Sequence, residues 1–420
     1  MSWPLKPLSE LCLLAVDCVN KTAPVEEGPT PYKMIRTTNV KGGFIDTESV
    51  RYVSEATFEQ WTRRSRPQYG DVILTREAPV GEVGRCTFDG SQQIFLGQRL
   101  FQYRPDPNLL DWNYLAYVLQ SPLVQNRLHG VSFGATVPHV KVGDAEHLAI
   151  PCPPLETQEA IGSLLAAYDD LVEVNRRRMA LIDEAARLLY QDWFVNLHFP
   201  GGEQFGELDG KGWVQNPIGR WMDFSIGGGW GQESPGVGAT DPAYVIRGTD
   251  IAKIQKGELA TVPLRFHPER NLSSRRLLAG DLVFEVSGGS RDQGVGKLLH
   301  VSEELLSAFD QPVMCASFCK LIRPKPLLSL ILAQTLEHMR EDSTLRVFEN
   351  QSASNIVNFA FGEFIVRQSV WTPPMEIVEA FNERISPLFQ MRHVLSVMLA
   401  DLKSARDALL PQLMSDSIRC

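Results

Sequence analysis

Metal-dependent cleavage of a phosphodiester needs paired carboxylates with a lysine close by. Asp281 and Glu285 supply the carboxylates, but Ser287 stands where that lysine would be. Asp71 and Asp281 each follow a glycine, the ordinary setting of a turn residue. Asp241-Pro242-Ala243-Tyr244 has the form of an acidic turn that can hold a flipped base. The glycine cluster at Gly227, Gly228, Gly229 and Gly231 lies too close to it for the strand-helix-strand unit that a cofactor would need. In GSRDQGVGKLL (289–299) Arg291 takes the place of the first glycine of a phosphate loop. Cys315 and Cys319 lack a second pair at zinc spacing, the eight histidines show no ligand spacing, and no Ser or Cys sits in a nucleophile elbow. The residues favour a binding protein over an enzyme, with no catalytic group, metal or cofactor of its own expected.

Composition agrees with that reading. A chain of 420 residues, 44% hydrophobic, can bury more than one core. No apolar run is long enough to cross a bilayer, and the opening MSWPLKPLSELCLLAV has neither a basic start nor a small-residue cleavage site, so a cytoplasmic protein without a membrane partner is expected. Seven cysteines give no disulfide framework. The net charge of -9 argues against nonspecific binding to nucleic acid. Its distribution matters more than its sum: residues 1–150 hold 15 basic and 16 acidic side chains, 201–370 hold 17 and 20, and 151–200 hold 4 and 8. A near-neutral domain can still turn one basic face to phosphates, as Arg63, Arg64, Arg66 or Arg275 and Arg276 could.

The elements that would position a binding surface come in two copies. In residues 155–194 Ile161, Tyr168, Asn175, Ile182 and Leu189 fall every seven residues; in 375–414 Phe381, Leu388, Leu395, Leu402 and Leu409 do the same, each 220 positions on. This spacing predicts a buried stripe on a long helix. Each helix follows a double proline, Pro153-Pro154 and Pro373-Pro374. Upstream, PYKMIRTTNV (31–40) matches PAYVIRGTDI (242–251), and GDVILTREAPV (70–80) matches GDLVFEVSGGS (280–290), at offsets of 211 and 210. The glycines and prolines from Pro200 to Gly212 read as a linker.

The expected fold is α+β: two tandem, pseudo-symmetric α/β domains over 1–150 and 197–370, separated by long antiparallel helices over 151–196 and 371–420. Each helix of about 38 residues would be about 57 Å long, and the pair would form a coiled-coil rod. Asn175 lies opposite apolar Leu395 in the duplicate, where a buried Asn can fix register or an edge Asn can face solvent. The halves share a framework and differ in loops, as in Thr75, Arg76, Glu77 against Glu285, Val286, Ser287.

The segment IPCPPLETQEAIGSLLAAYDDLVEVNRRRMALIDEAARLLYQDWFV, the loop GDVILTREAPVGEVG and the ending LKSARDALLPQLMSDSI together resemble the specificity subunit of type I restriction-modification enzymes. The resemblance covers essentially the whole chain. It departs from the first copy where VWTPPMEIVEAFNERI lacks the Glu and Gln of LETQEAI, and where GDLVFEVSGG lacks an arginine like Arg76. It implies two target recognition domains, each reading one half of a split, asymmetric double-stranded DNA sequence. It also implies a helical spacer that sets the gap and docks two methylation subunits, which restriction subunits would join. S-adenosylmethionine, ATP and Mg would belong to those partners. An orphan subunit of a methylation-only complex, or a two-domain adaptor that binds protein, would share the same outline.

Forked and amide groups on loops suit base edges, Arg for guanine and Asn for adenine. The candidates are Arg36, Asn39, Arg76, Thr136 and His139 in the first half, and Arg247, Asp250, Ser287, Ser354 and Asn355 in the second.

Overall fold

Two prolines precede each long helix, and each helix begins directly after them. In the computed structural model, which describes residues 3–19, 21–88, 90–134, 138–200, 212–288, 294–351 and 356–414, the helices span Leu155–Tyr190 and Met375–Met414. The first continues through a wider turn, Gln191–Val195. Proline supplies no N–H, so it ends whatever strand precedes it and leaves the next residues free to start a helix.

The chain divides into two compact units, Met1–Val172 with Leu402–Cys420, and Glu173–Asp401. Each takes a part of both helices. In the first unit Arg406 Nη1 lies 2.5 Å from Asp169 Oδ1. In the second Arg392 pairs with Asp183, and the rings of Trp193 and Phe381 lie 5.8 Å apart. In the second unit the residue numbers of the two pairs sum to 575 and 574, so its two helix segments run antiparallel.

The duplication holds for three sheets of each unit. The first unit has a four-stranded antiparallel sheet in the order Cys12–Asp17, Leu100–Pro105, Val72–Arg76, Val80–Arg85; the second has Met222–Gly227, Cys319–Pro324, Leu282–Glu285, Leu298–His300. A three-stranded sheet follows in each: Arg51–Tyr52, Tyr32–Ile35, Gln93–Leu96 in the first, and Leu264–His267, Asp241–Ile246, Val313–Cys315 in the second. Its last two strands are parallel in both units. A short pair of strands, Leu5–Pro7 with Ala149–Pro151 and Val214–Pro217 with Ser369–Thr372, leads into each helix.

The Gly-Asp turns show why these strands start where they do. Gly70 and Gly280 share φ +87°, a conformation that other residues adopt at a cost. Asp71 and Asp281 accept the backbone N–H of Gln68 and Leu278, at 2.8 and 2.7 Å. Each carboxylate then takes a two-pronged contact from the arginine of a neighbouring strand, Arg104 at 2.8 and 2.8 Å and Arg323 at 2.7 and 2.6 Å. Both aspartates are therefore turn residues that also clamp the sheet.

The helix stripes enter the domain cores. In the first unit Ile161, Leu165, Leu413 and Met414 join Leu8, Tyr103 and Tyr114. In the second Ala186, Trp193, Phe381 and Ile385 join Phe284, Leu332 and Phe364. Burying one such side chain contributes about 1.5–3 kcal/mol, so each domain is fixed to its part of the helices by many side chains.

Candidate nucleic-acid interface

In the first unit the strand Val72–Arg76 runs out into a rim built by backbone pairing. Val140 N donates to Arg76 O (2.9 Å), and Arg76 Nη1 returns a bond to Val140 O (2.8 Å). His139 pairs with Glu77 on one side and with Phe133 on the other. Residues directly opposite on paired strands share a face, so Glu77, His139 and Phe133 form one row. Val140, next along, points inward and is buried, while His139 and Phe133 are exposed. Lys141 Nζ sits 4.3 Å from the Phe133 ring centre. Arg99, held at φ +71°, accepts Arg76 N at its carbonyl (2.8 Å) and points its guanidinium to Glu77, 3.3 Å away. On the neighbouring three-stranded sheet Gly97 N donates to Ile35 O at 2.7 Å, and Arg36 follows as the cap of the turn Thr37–Asn39.

The second unit builds the same frame from other side chains. Phe359 N donates to Val286 O (2.8 Å), Val286 N donates to Phe318 O (2.9 Å), and Ala316 N donates to Ile246 O (2.8 Å). Ser287 pairs with Asn358, and Asn358 with Asn350. The row is Ser287, Asn358, Asn350, with Ser287 Oγ donating to Asn358 Oδ1 at 2.7 Å. Asn358 is exposed between buried Val357 and Phe359, and Asn350 opposite it is exposed too. Phe318 stands where Arg99 stands in the first unit and is 64% exposed.

Of the residues singled out from sequence, the structure brings Arg76 and His139 into the first rim and Ser287 into the second, and makes Arg36 and Arg247 the N-caps of short helical turns. Asn39 and Asp250 are buried and shape the loops behind. Asn39 Oδ1 accepts Arg36 N at 3.0 Å and its Nδ2 donates to Ser49 O at 2.9 Å. Asp250 accepts Arg247 N at 3.0 Å and takes both prongs of the Arg247 guanidinium, at 2.7 and 2.8 Å. Thr136, Ser354 and Asn355 lie outside the described residues. Sequence reasoning passed over Arg99, Phe133, Phe318, Asn350 and Asn358. Alternation of Val357, Asn358 and Phe359 was the one local sign of an outward amide. Among the basic clusters, Arg64 pairs with Asp17, Arg66 with Glu59, and Arg275 Nε donates to Gly227 O at 2.9 Å.

Along the helices Ile161, Asn175, Phe381 and Leu395 are buried, and Tyr168, Ile182, Leu189, Leu388, Leu402 and Leu409 are half-buried. Asn175 is 3% exposed and its Nδ2 has no hydrogen-bond partner. On the first helix Leu171, Val174, Leu181 and Leu188 are exposed, and on the second Met391, Val394, Val397 and Met398. Asp169, next to the expected stripe residue Tyr168, is fully buried. It accepts Tyr117 Oη at 2.6 Å and Arg406 Nη1 at 2.5 Å, with Arg85 Nη2 at 3.6 Å. Burial, and then the charge of Asp169, push the Tyr117 hydroxyl well above its ordinary pKa.

Among the described residues no group of His, Cys, Asp or Glu could hold a metal ion, and no helix is long and apolar enough to cross a membrane. The described cysteines are free thiols, and burial pushes Cys315 up to about 12.

Residues 18–184 match the family described as Type I restriction modification DNA specificity domain. The type I restriction enzyme MjaIX specificity subunit of Methanocaldococcus jannaschii is 22% identical over 394 residues, which is 88% of this chain and 82% of that protein. The type I restriction enzyme EcoKI specificity subunit of Escherichia coli is 23% identical over 274 residues, 61% of this chain and 55% of the relative. The crystal structure of the type I restriction-modification system S subunit from M. genitalium superposes with a TM-score of 0.57 at 16% identity, covering 98% of this chain and 96% of that one, and so shares its fold.

Proposed function

We propose, for a chain that belongs to the type I restriction-modification specificity subunits, that its two α/β domains are target recognition domains which each read one half of a bipartite, asymmetric double-stranded DNA sequence. The observation that carries this is the pair of rims: one hydrogen-bonded frame, built twice, with different side chains in its rows. A fold that repeats its scaffold and varies only the outward groups suits two readouts by one mechanism.

The first rim presents a forked group and the second presents amides, each with an aromatic ring, to the edges of bases in the major groove, while arginines outside the rows meet phosphates. The helices at 151–196 and 371–420 act as a spacer between recognition domains at 1–150 and 197–370. Their antiparallel register sets the unspecified gap. The exposed apolar side chains on the helices dock two methylation subunits, and restriction subunits join that complex in the cytoplasm. Methyl transfer and ATP-dependent cleavage, with S-adenosylmethionine, ATP and Mg, reside in those partners, and the present chain supplies binding and orientation.

The test is a competition assay with the chain and its methylation subunit. A duplex carrying the recognised sequence should compete at least a hundredfold better than duplexes of equal length and scrambled sequence, in line with the specific preference of about 10³–10⁷ seen for DNA readers. Equal competition by all duplexes would make the chain a protein-binding adaptor instead.

A further inference from the structure

The two rims can be compared position by position, because the same backbone bonds define both. Arg99 and Phe318 are equivalent, since their carbonyls accept the N–H of Arg76 and of Val286. Glu77 is equivalent to Ser287, His139 to Asn358, and Phe133 to Asn350, since each set forms the three-residue row. The first rim carries ionised groups, an arginine fork oriented by a carboxylate. The second rim has a neutral row of a hydroxyl and two amides, and in the same unit the Arg247 guanidinium is taken up by Asp250.

We propose that the first domain reads a half-site specified at a G·C pair, through Arg99 and Glu77, and that the second reads a half-site specified at an A·T pair, through Asn358 and Phe318. This rests on the DNA-reading function proposed above. The chemistry follows from what each edge offers. Guanine presents two acceptors, O6 and N7, which fit an arginine fork, and cytosine presents the N4 amino donor, which fits a carboxylate. Adenine presents N7 beside the N6 amino group and fits an amide, which both donates and accepts. Ser287 donates to Asn358 Oδ1 and so presets the amide, leaving one lone pair on the oxygen and the amide hydrogens for a base. Phe318, 64% exposed beside Ser287, has no polar group to offer and fits the methyl of thymine.

The experiment selects duplexes from a randomised pool with the full chain and its methylation subunit, for wild type and for Asn358→Ala, Asn358→Asp, Phe318→Ala and Arg99→Ala. These side chains are exposed or at the rim, and circular dichroism melts check that each variant folds like wild type. Asn358→Ala should lose a preference for adenine at one position of one half-site by about 5- to 150-fold, the discrimination of one bidentate contact. Asn358→Asp, which can only accept, should move that preference to cytosine, a change that general loosening of the fold would not produce. Replacing thymine by uracil should weaken wild type at one position of the same half-site and leave Phe318→Ala unaffected. Arg99→Ala should relax a guanine in the other half-site only. The assignment is overturned if Asn358→Asp leaves both half-sites as in wild type, or if Arg99→Ala and Asn358→Ala act on the same half. A wild-type complex that selects no two-part sequence would instead overturn the DNA-reading function itself.

Discussion

Replacing Asp169 by alanine is the most demanding test of how the first domain is held to the helices. Asp169 is fully buried and belongs to the first long helix; it meets Tyr117 of the domain, Arg406 of the C-terminal helix, and Arg85 of the strand Val80–Arg85, itself only 4% exposed. Without the carboxylate, Arg85 keeps Asn113 Oδ1 at 2.9 Å and Asp170 at 3.9 Å, and Asp170 is mostly in solvent. Removing one partner of a buried charge pair typically costs about 3–5 kcal/mol, far more than the lost contacts of a surface pair. Asp169→Asn, which keeps one acceptor oxygen for Arg406 and turns its amide N–H to the Tyr117 oxygen but carries no charge, should cost less, about 1–3 kcal/mol. Because the chain has two compact units, one global unfolding energy is the wrong readout. Amide hydrogen exchange reads each unit separately. The expected result is a loss of protection in the strand Val80–Arg85 and the helix Trp112–Gln120, with amides of the strand Leu282–Glu285 unchanged. A double-mutant cycle with Arg406→Ala should show coupling of about 0.5–3 kcal/mol. A loss below about 1 kcal/mol in the first unit, or an equal loss in both units, would refute this account of the buried cluster.

Three further outcomes are expected. Inserting four helical residues after Arg177 and four after Val397, positions level in the antiparallel register, lengthens both helices by about 6 Å; against about 3.4 Å per base pair, the methylation motif should show a gap one or two pairs longer with both half-sites unchanged, and altered half-sites would rule out a ruler. Asn175→Leu removes a buried amide nitrogen with no partner and should stabilise the second unit by about 1–2 kcal/mol, read from the urea midpoint of that unit; destabilisation would mean that the amide is bonded in solution. Burial pushes His300 down to about 4, below its unfolded value of about 6.5, so the unfolded chain binds the extra proton and stability should fall as pH drops from 6.5 to 4. His300→Gln should remove that part of the slope, at most about 3 kcal/mol, and an unchanged slope in urea titrations would exclude this histidine.

The helices were legible in the sequence because a stripe every seven residues has no competing explanation, and prolines mark both starts. The duplication was legible because short anchors recur in order. Asp169 was not, since a carboxylate beside a stripe reads as solvated until Arg85 and Arg406, distant in sequence, are seen to converge on it. Gln158 shows the same limit. Its amide ties the start of the first helix to Leu109 O, Pro153 O and Asp111 N, whereas the residue 220 positions on is the fully buried Val378, so the two copies join helix to domain by different means. Arg36-Asn39 and Arg247-Asp250 carried the residue types that suit bases, but local capping claims Asn39 and Asp250. Asn358 and Phe318 stayed hidden because their place beside Ser287 is set by strand pairing across some 30 to 70 residues, which no local pattern announces.

The central claim, that two unlike domains read two halves of one site across a spacer, is tested most directly by mapping methylated adenines across a genome in cells that express the chain with its methylation subunit. The account predicts a single motif of two different half-sites separated by an unspecified gap of fixed length. A continuous motif, a palindrome, or methylation without sequence preference would contradict it.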